Sequence, residues 1–207
     1  MERLHFTDIY IARIDDSLFT GPVLPPERER YIKEANDRKL RDSRRAAWNL
    51  LKLGYERSFG MPFPSDVISM DENGKWGSDD FFFSISHSDR YVTVSLSDRE
   101  CGIDIEESGA FSERFGERKE MLSLRLFGSR LDDLSFLKLW TGKEAGYKAY
   151  GDCLPYMEGP SSHPAYSWRL DPGDGEAVMA LSSEDPGDLQ IFILADGGFR
   201  SIKGEEL

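Results

Sequence analysis

The sequence predicts a mixed α and β fold, and two observations carry that expectation. Runs rich in β-branched and aromatic residues, separated by Gly, Pro and Asp turns, recur in the middle and at the end of the chain, as in "YVTVSLS" and "LQIFILA". Between them lie stretches whose apolar residues return every three or four positions, the period of a helix packed on one side. With 39% apolar and 12% aromatic residues among 207, the chain has enough apolar material for an ordinary packed core.

Taken in order, "HFTDIYIARID" alternates as a strand. "PPERERYIKEANDRKLRDSRRAAWNLLKLGY" reads as helix, with Pro25 and Pro26 at its entry, Gly54 as its stop, and Ala46, Ala47, Leu50 and Leu51 facing inward. "FPSDVISMDENGKWG" is expected to be loop with a turn at Asn73-Gly74. The strands "DDFFFSISHS", "YVTVSLS" and "CGIDIEE" then form a small sheet. A helical region from about 112 to 150 is interrupted near Gly128, and "AYSWRL", "EAVMALS" and "LQIFILA" return to strand. A faint internal echo links "YVTVSLSD" plus "CGIDIE" to "LQIFILAD" plus "FRSIKGE", which permits two similar halves.

Charge and composition narrow the function classes. The net charge of −12 argues against general nucleic-acid binding, which needs a basic footprint. No apolar run is long enough for a membrane span, and the charged N-terminal stretch lacks a signal peptide's apolar region, so a cytoplasmic protein is expected. Cys101 and Cys153 have neither metal-ligand spacing nor a disulfide pattern. The charge is uneven: residues 28–57 hold ten Lys or Arg against five Asp or Glu, whereas 171–207 hold two against nine. The basic segment suits a small polyanion or an acidic partner, and equally a solvated helix face.

Chemistry-bearing residues fall in three places. In "CGIDIEE", strand alternation puts Asp104 and Glu106 on one face, roughly 7 Å apart, where they either share a hard cation such as Mg²⁺ or form a polar outer face. In "LWTGKEAGYKAYG", the stripe Leu137, Trp140, Glu144, Lys148 runs from apolar to charged along what should be the buried side. Either this is an ordinary Glu-Lys pair one turn apart, or a ligand or metal at that spot offsets the cost of burying charge, with Lys143 beside it. The strand ending in His87 has Phe81, Phe83 and Ile85 on one face and Ser84, Ser86 and Ser88 on the other. Upstream, Asp42 and Arg45, with Arg41 and Arg44, are either surface charge or a phosphate grip.

"FSISHS", "GIDIE" and "WTGKEAGYKA", in this order, with "DSRR" and "NGK" upstream, together resemble the 4′-phosphopantetheinyl transferases of the Sfp, surfactin-synthetase-activating type. The likeness is specific over roughly residues 40–150. It implies an α+β single-chain pseudo-dimer of two similar halves, residues 1–100 and 101–207, with the active site in the cleft between them. It also implies an enzyme, expected to be a monomer, that moves the phosphopantetheine arm of coenzyme A onto a serine of an apo acyl or peptidyl carrier protein. By the same likeness Asp104, Glu106 and Glu144 would hold Mg²⁺, while Lys148 would contact the phosphate under attack. Ser86 and His87 would bind phosphate oxygens, Arg45 and Lys75 would sit near the nucleotide end, and Lys143 would be a further phosphate contact. Glu144, or Glu106 through a metal-bound water, is the candidate base. The family often has Gly-Lys-Pro where this chain has Gly74-Lys75-Trp76, and a Gly where Asp89 follows the SHS motif. Other readings of the same residues are a Mg²⁺-dependent hydrolase of a nucleotide diphosphate, or a non-catalytic coenzyme A-binding protein.

Overall fold

The structure is a computed structural model that describes residues 5–15, 18, 24, 26–71, 75–109, 116, 118–151, 161–171 and 175–207. The expected turn at Asn73-Gly74, Pro25 and Cys153 lie outside these residues.

Two sheets and two long helices make the body. Strand β1 (Phe6–Arg13) pairs antiparallel with β5 (Tyr91–Ser97), which pairs antiparallel with β4 (Phe82–His87). On the other side of β1 lies β9 (Asp188–Ala195), parallel to it, followed by β10 (Gly198–Ile202). The second sheet runs β11 (Glu205–Glu206), β7 (Ala165–Leu170), β8 (Ala177–Ser182), β6 (Gly102–Glu107). A short hairpin of β2 (Ile68–Met70) and β3 (Trp76–Ser78) stands apart, in a segment expected to be loop.

Strand alternation sets the layers. Tyr10 and Ala12 of β1 point into a core with Ala46, Ala47, Trp48, Leu50 and Leu51 of the long helix α2 (Arg38–Phe59). Ile9 and Ile11 point the other way, against Ile103, Ile105, Met179 and Leu181 of the second sheet. The far face of that sheet meets helices α3 (Arg118–Phe127) and α4 (Asp133–Tyr150) through Val178, Leu126, Leu137 and Trp140. The order is helix, sheet, sheet, helix.

The single helix expected over residues 26–54 is two. A first helix, α1 (Pro26–Lys33), ends, and Asp37 caps the next by accepting from the Lys39 amide at 3.2 Å. Gly54 is no stop. It lies inside α2 because a Cβ there would come 2.7 Å from the Tyr10 ring, and the helix ends instead at Gly60, in the left-handed conformation. The break near Gly128 is found, and Asp132 caps α4 through the Ser135 amide.

The strand–helix–strand–strand order β1-α2-β4-β5 recurs as β6-α4-β7-β8, with the same pairing in each sheet. The echo read between 91–106 and 189–205 matches the wrong pieces. β9 and β10 form one tight hairpin whose turn residues Asp196 and Gly197 both have positive φ, whereas β5 and β6 belong to different sheets. Nor does a division at residue 100 follow the sheets to the end of the chain, since β9 and β10 complete the sheet begun by β1.

Candidate active site

The edges β4 and β6 meet through side chains. Ser84 Oγ accepts from the Ile103 amide at 3.1 Å, Ser86 Oγ donates to Asp104 Oδ1 at 2.7 Å, and Ser88 Oγ donates to Glu107 Oε1 at 2.7 Å. All three serines are buried. Alternate residues from Ser84 to Ser88, two in β4 and one just beyond it, thus join the two sheets where "FSISHS" meets "GIDIEE".

Helix α4 is pressed onto this seam. A Cβ on Gly102 would lie 2.0 Å from the Ala145 carbonyl oxygen, so only glycine lets β6 and α4 approach so closely. Gly146 likewise faces Ser161, 2.5 Å from where its Cβ would be. Of the two glycines in α4, Gly146 therefore serves close packing, whereas a Cβ on Gly142 would meet only Ala165 at 3.4 Å. At this spacing Lys148 Nζ donates to Asp104 Oδ1 at 2.7 Å, Ser86 Oγ at 2.8 Å and the Ile103 carbonyl at 3.2 Å. Leu137 and Trp140 are buried below, and Glu144 is half-buried between them and Lys148.

Burial, then the nearby Asp104 charge, push the Glu144 carboxyl up to about 7, with Lys148 opposing them. Asp104 is itself buried, and its Oδ2 has no hydrogen-bond partner among the described residues. A hard cation fits such an oxygen, and carboxylates are the donors it takes. Among the described residues, however, no three His, Cys, Asp or Glu side chains gather at metal-holding spacing. The expected trio Asp104, Glu106 and Glu144 is thus not gathered at that spacing, and Lys148 pairs with Asp104 Oδ1 at 2.7 Å.

Above the seam opens a cleft of about 720 Å³ between α1, α2 and β3 on one side and the end of α4 on the other. Lys148, His87 and Lys75 line it, the last donating to the Ala149 carbonyl at 2.9 Å. Ser86 is buried with its hydroxyl engaged by Asp104 and Lys148 rather than turned to the opening. Lys143 is only 2% exposed, its ammonium 5.9 Å from the Phe127 ring, on the side of the helix away from the cleft. Arg45 pairs at 3.7 Å with Glu29 and does not line the cleft, whereas its neighbour Arg44 does, lying over the Tyr31 ring.

Arg28 was not singled out from the sequence as a site residue. Its guanidinium lies about 5 Å from the Tyr31, Trp48 and Trp76 rings, and burial pushes it down to about 10 despite Tyr31. The available signal was its place in the basic segment, three residues before Tyr31. Trp76, standing where the family often has Pro, is part of this cage, and Asp89 pairs with Lys39 of α2 at 2.6 Å.

Two sheets thus join at a lysine-carboxylate seam beneath a cleft lined by two arginines, two lysines and a histidine, with Asp71 and Glu100 among them, a lining whose excess of cationic groups suits an anionic ligand. The family model described as "4′-phosphopantetheinyl transferase superfamily" matches residues 100–190. The 4′-phosphopantetheinyl transferase psf-1 of Bacillus pumilus is 31% identical over 167 residues, 76% of this chain and 69% of that protein. The transferase gsp of Aneurinibacillus migulanus is 34% identical over 96 residues, 44% and 40% of the two chains. Sfp of Bacillus subtilis is 26% identical over 216 residues, 90% and 94%. The chain belongs to the 4′-phosphopantetheinyl transferase superfamily and is a transferase of the Sfp-like kind.

Proposed function

We infer that this protein transfers the 4′-phosphopantetheine group of coenzyme A to a serine of an apo acyl or peptidyl carrier protein, releasing adenosine 3′,5′-bisphosphate. The observation that carries this reading is Lys148, held by Asp104 and Ser86 at the floor of a cleft whose walls supply Arg28, Arg44, Lys75 and His87. That is a place for a pyrophosphate with a nucleotide beyond it.

The serine hydroxyl oxygen attacks the phosphorus that bears the pantetheine arm. A new P–O bond forms, the bridging P–O bond of the pyrophosphate breaks, and the bisphosphate leaves with the electron pair. Glu144, poised near 7, takes the serine proton. Lys148 stabilises the charge growing on the phosphoryl oxygens, with its ammonium already fixed by Asp104. Arg28 and Arg44, clamped by aromatic rings, hold the nucleotide end, and His87 sits at the rim. When bound, Mg²⁺ would neutralise pyrophosphate charge. Asp104, through its unpartnered oxygen, and Glu106 on the same strand face are the residues that would hold it.

The repeated strand–helix–strand–strand unit supports a pseudo-dimer, with the cleft between the two units. An internal pair of this kind favours a monomer. Among the described residues no helix is long and apolar enough to cross a membrane.

Intact-mass spectrometry of an apo carrier protein incubated with this protein, coenzyme A and Mg²⁺ tests the reading. A gain of about 340 Da that EDTA abolishes is expected. Free phosphopantetheine with an unmodified carrier would point to a hydrolase instead.

A further inference from the structure

Glu107, on the strand that carries Asp104 and Glu106, is a third carboxylate that the proposed reaction does not use. It is 2% exposed, yet it carries a charge into the join between the sheets. Among the described residues its hydrogen-bond partners come from one turn: Ser88 Oγ at 2.7 Å and the Arg90 amide at 2.6 Å on Oε1, and Arg90 Nε at 2.5 Å on Oε2. That turn, closed by the Ser88 amide donating to the Tyr91 carbonyl at 2.9 Å, begins immediately after His87. The residue between, Asp89, is tied to Lys39 of α2 on the opposite wall. His87 itself is exposed at the cleft. A buried carboxylate that gathers three donors from one turn is a strong and directional anchor. It lies three residues from Asp104 on the same strand, so β6 sets the distance between the lysine-carboxylate seam and the turn that bears the imidazole.

We propose that Glu107 is a positioning residue: by clamping Ser88 and Arg90 it fixes His87 at the rim of the cleft relative to Asp104 and Lys148. The proposal rests on the reading of the cleft as the coenzyme A site. Glu107→Gln keeps the shape but sets an amide N–H against the Arg90 donor. The expected result is a KM for coenzyme A raised on the order of tenfold, with the KM for carrier protein unchanged. In a His87→Ala background the same substitution should add nothing, because the two residues act as one unit. NMR signals of the His87 ring in the ligand-free protein should move in Glu107→Gln as well. Arg90→Lys, which breaks the clamp from the other side, gives the same set of readouts should the glutamine variant fail to fold.

A lowered melting temperature with unmoved His87 signals overturns the proposal, and so does a KM effect that persists in full in the His87→Ala background. If His87→Ala alone leaves the KM for coenzyme A unchanged, the assignment of His87 to the coenzyme A site fails. The His87 signals alone then decide whether the clamp exists.

Discussion

Glu144 gives the metal-free protein a stability that falls as pH rises. Its folded carboxyl titrates at about 7, against an ordinary 4.5. Below 4.5 both folded and unfolded chains hold the proton. Between 4.5 and about 7 the unfolded chain has released it while the folded chain keeps it, so each pH unit costs the folded state about 1.4 kcal/mol. Across the window the loss is about 3 kcal/mol, complete above it. Urea unfolding in EDTA, at intervals from about pH 5 to 8, for wild type and Glu144→Gln would measure this. The glutamine variant cannot release a proton, so the difference between the two curves should tilt by most of that amount, wild type losing ground as pH rises. A cation at Asp104 would favour the ionised carboxylate, so Mg²⁺ at pH 8 should raise wild type more than the variant. Parallel curves without metal would refute the reasoning, because they would mean that Glu144 is solvated as an exposed carboxylate is.

Gly102→Ala puts a methyl group into the Ala145 carbonyl, so a loss of about 2–3 kcal/mol in urea unfolding is expected, and wild-type stability would show that β6 and α4 can part without cost. Arg44→Ala should weaken binding of adenosine 3′,5′-bisphosphate roughly tenfold in calorimetry, while Arg45→Ala changes it little; equal effects would contradict the placement of the two side chains. Docking of an acidic carrier protein along the basic segment of α1 and α2 predicts an apparent KM for carrier that rises with salt, and a flat salt response would remove that segment from the interface.

The parts of the site that follow from local periodicity were legible in the sequence. The stripe from Leu137 to Lys148 needs only the helical repeat, and the pairing of apolar Phe83 and Ile85 against Ser84 and Ser86 needs only strand alternation. What could not be read locally was set across the chain. Gly54 resembles a helix stop until Tyr10, forty-four positions earlier, takes up the space of its missing side chain. Arg44 and Arg45 are equivalent in sequence, and only the rotation of α2 against the cleft separates them. Lys143 stands beside Glu144 in the chain but, one step around the helix, it enters the packing with α3. The two similar halves expected from the sequence were sought in the wrong segments, because the recurrence lies in the order of elements and their pairing rather than in two hairpins of similar composition.

The position of β9 also bears on how the molecule comes into being. Residues Phe6 to Ala12 of β1 are buried, yet its parallel neighbour lies far along the chain, at residues 188–195. During synthesis a strand with one open flank must wait for that segment, and such a flank readily recruits foreign strands. The delay makes the nascent protein dependent on protection, and it means that loss of residues 188–207 would open the first sheet beside β1 as well as remove β11 from the edge of the second.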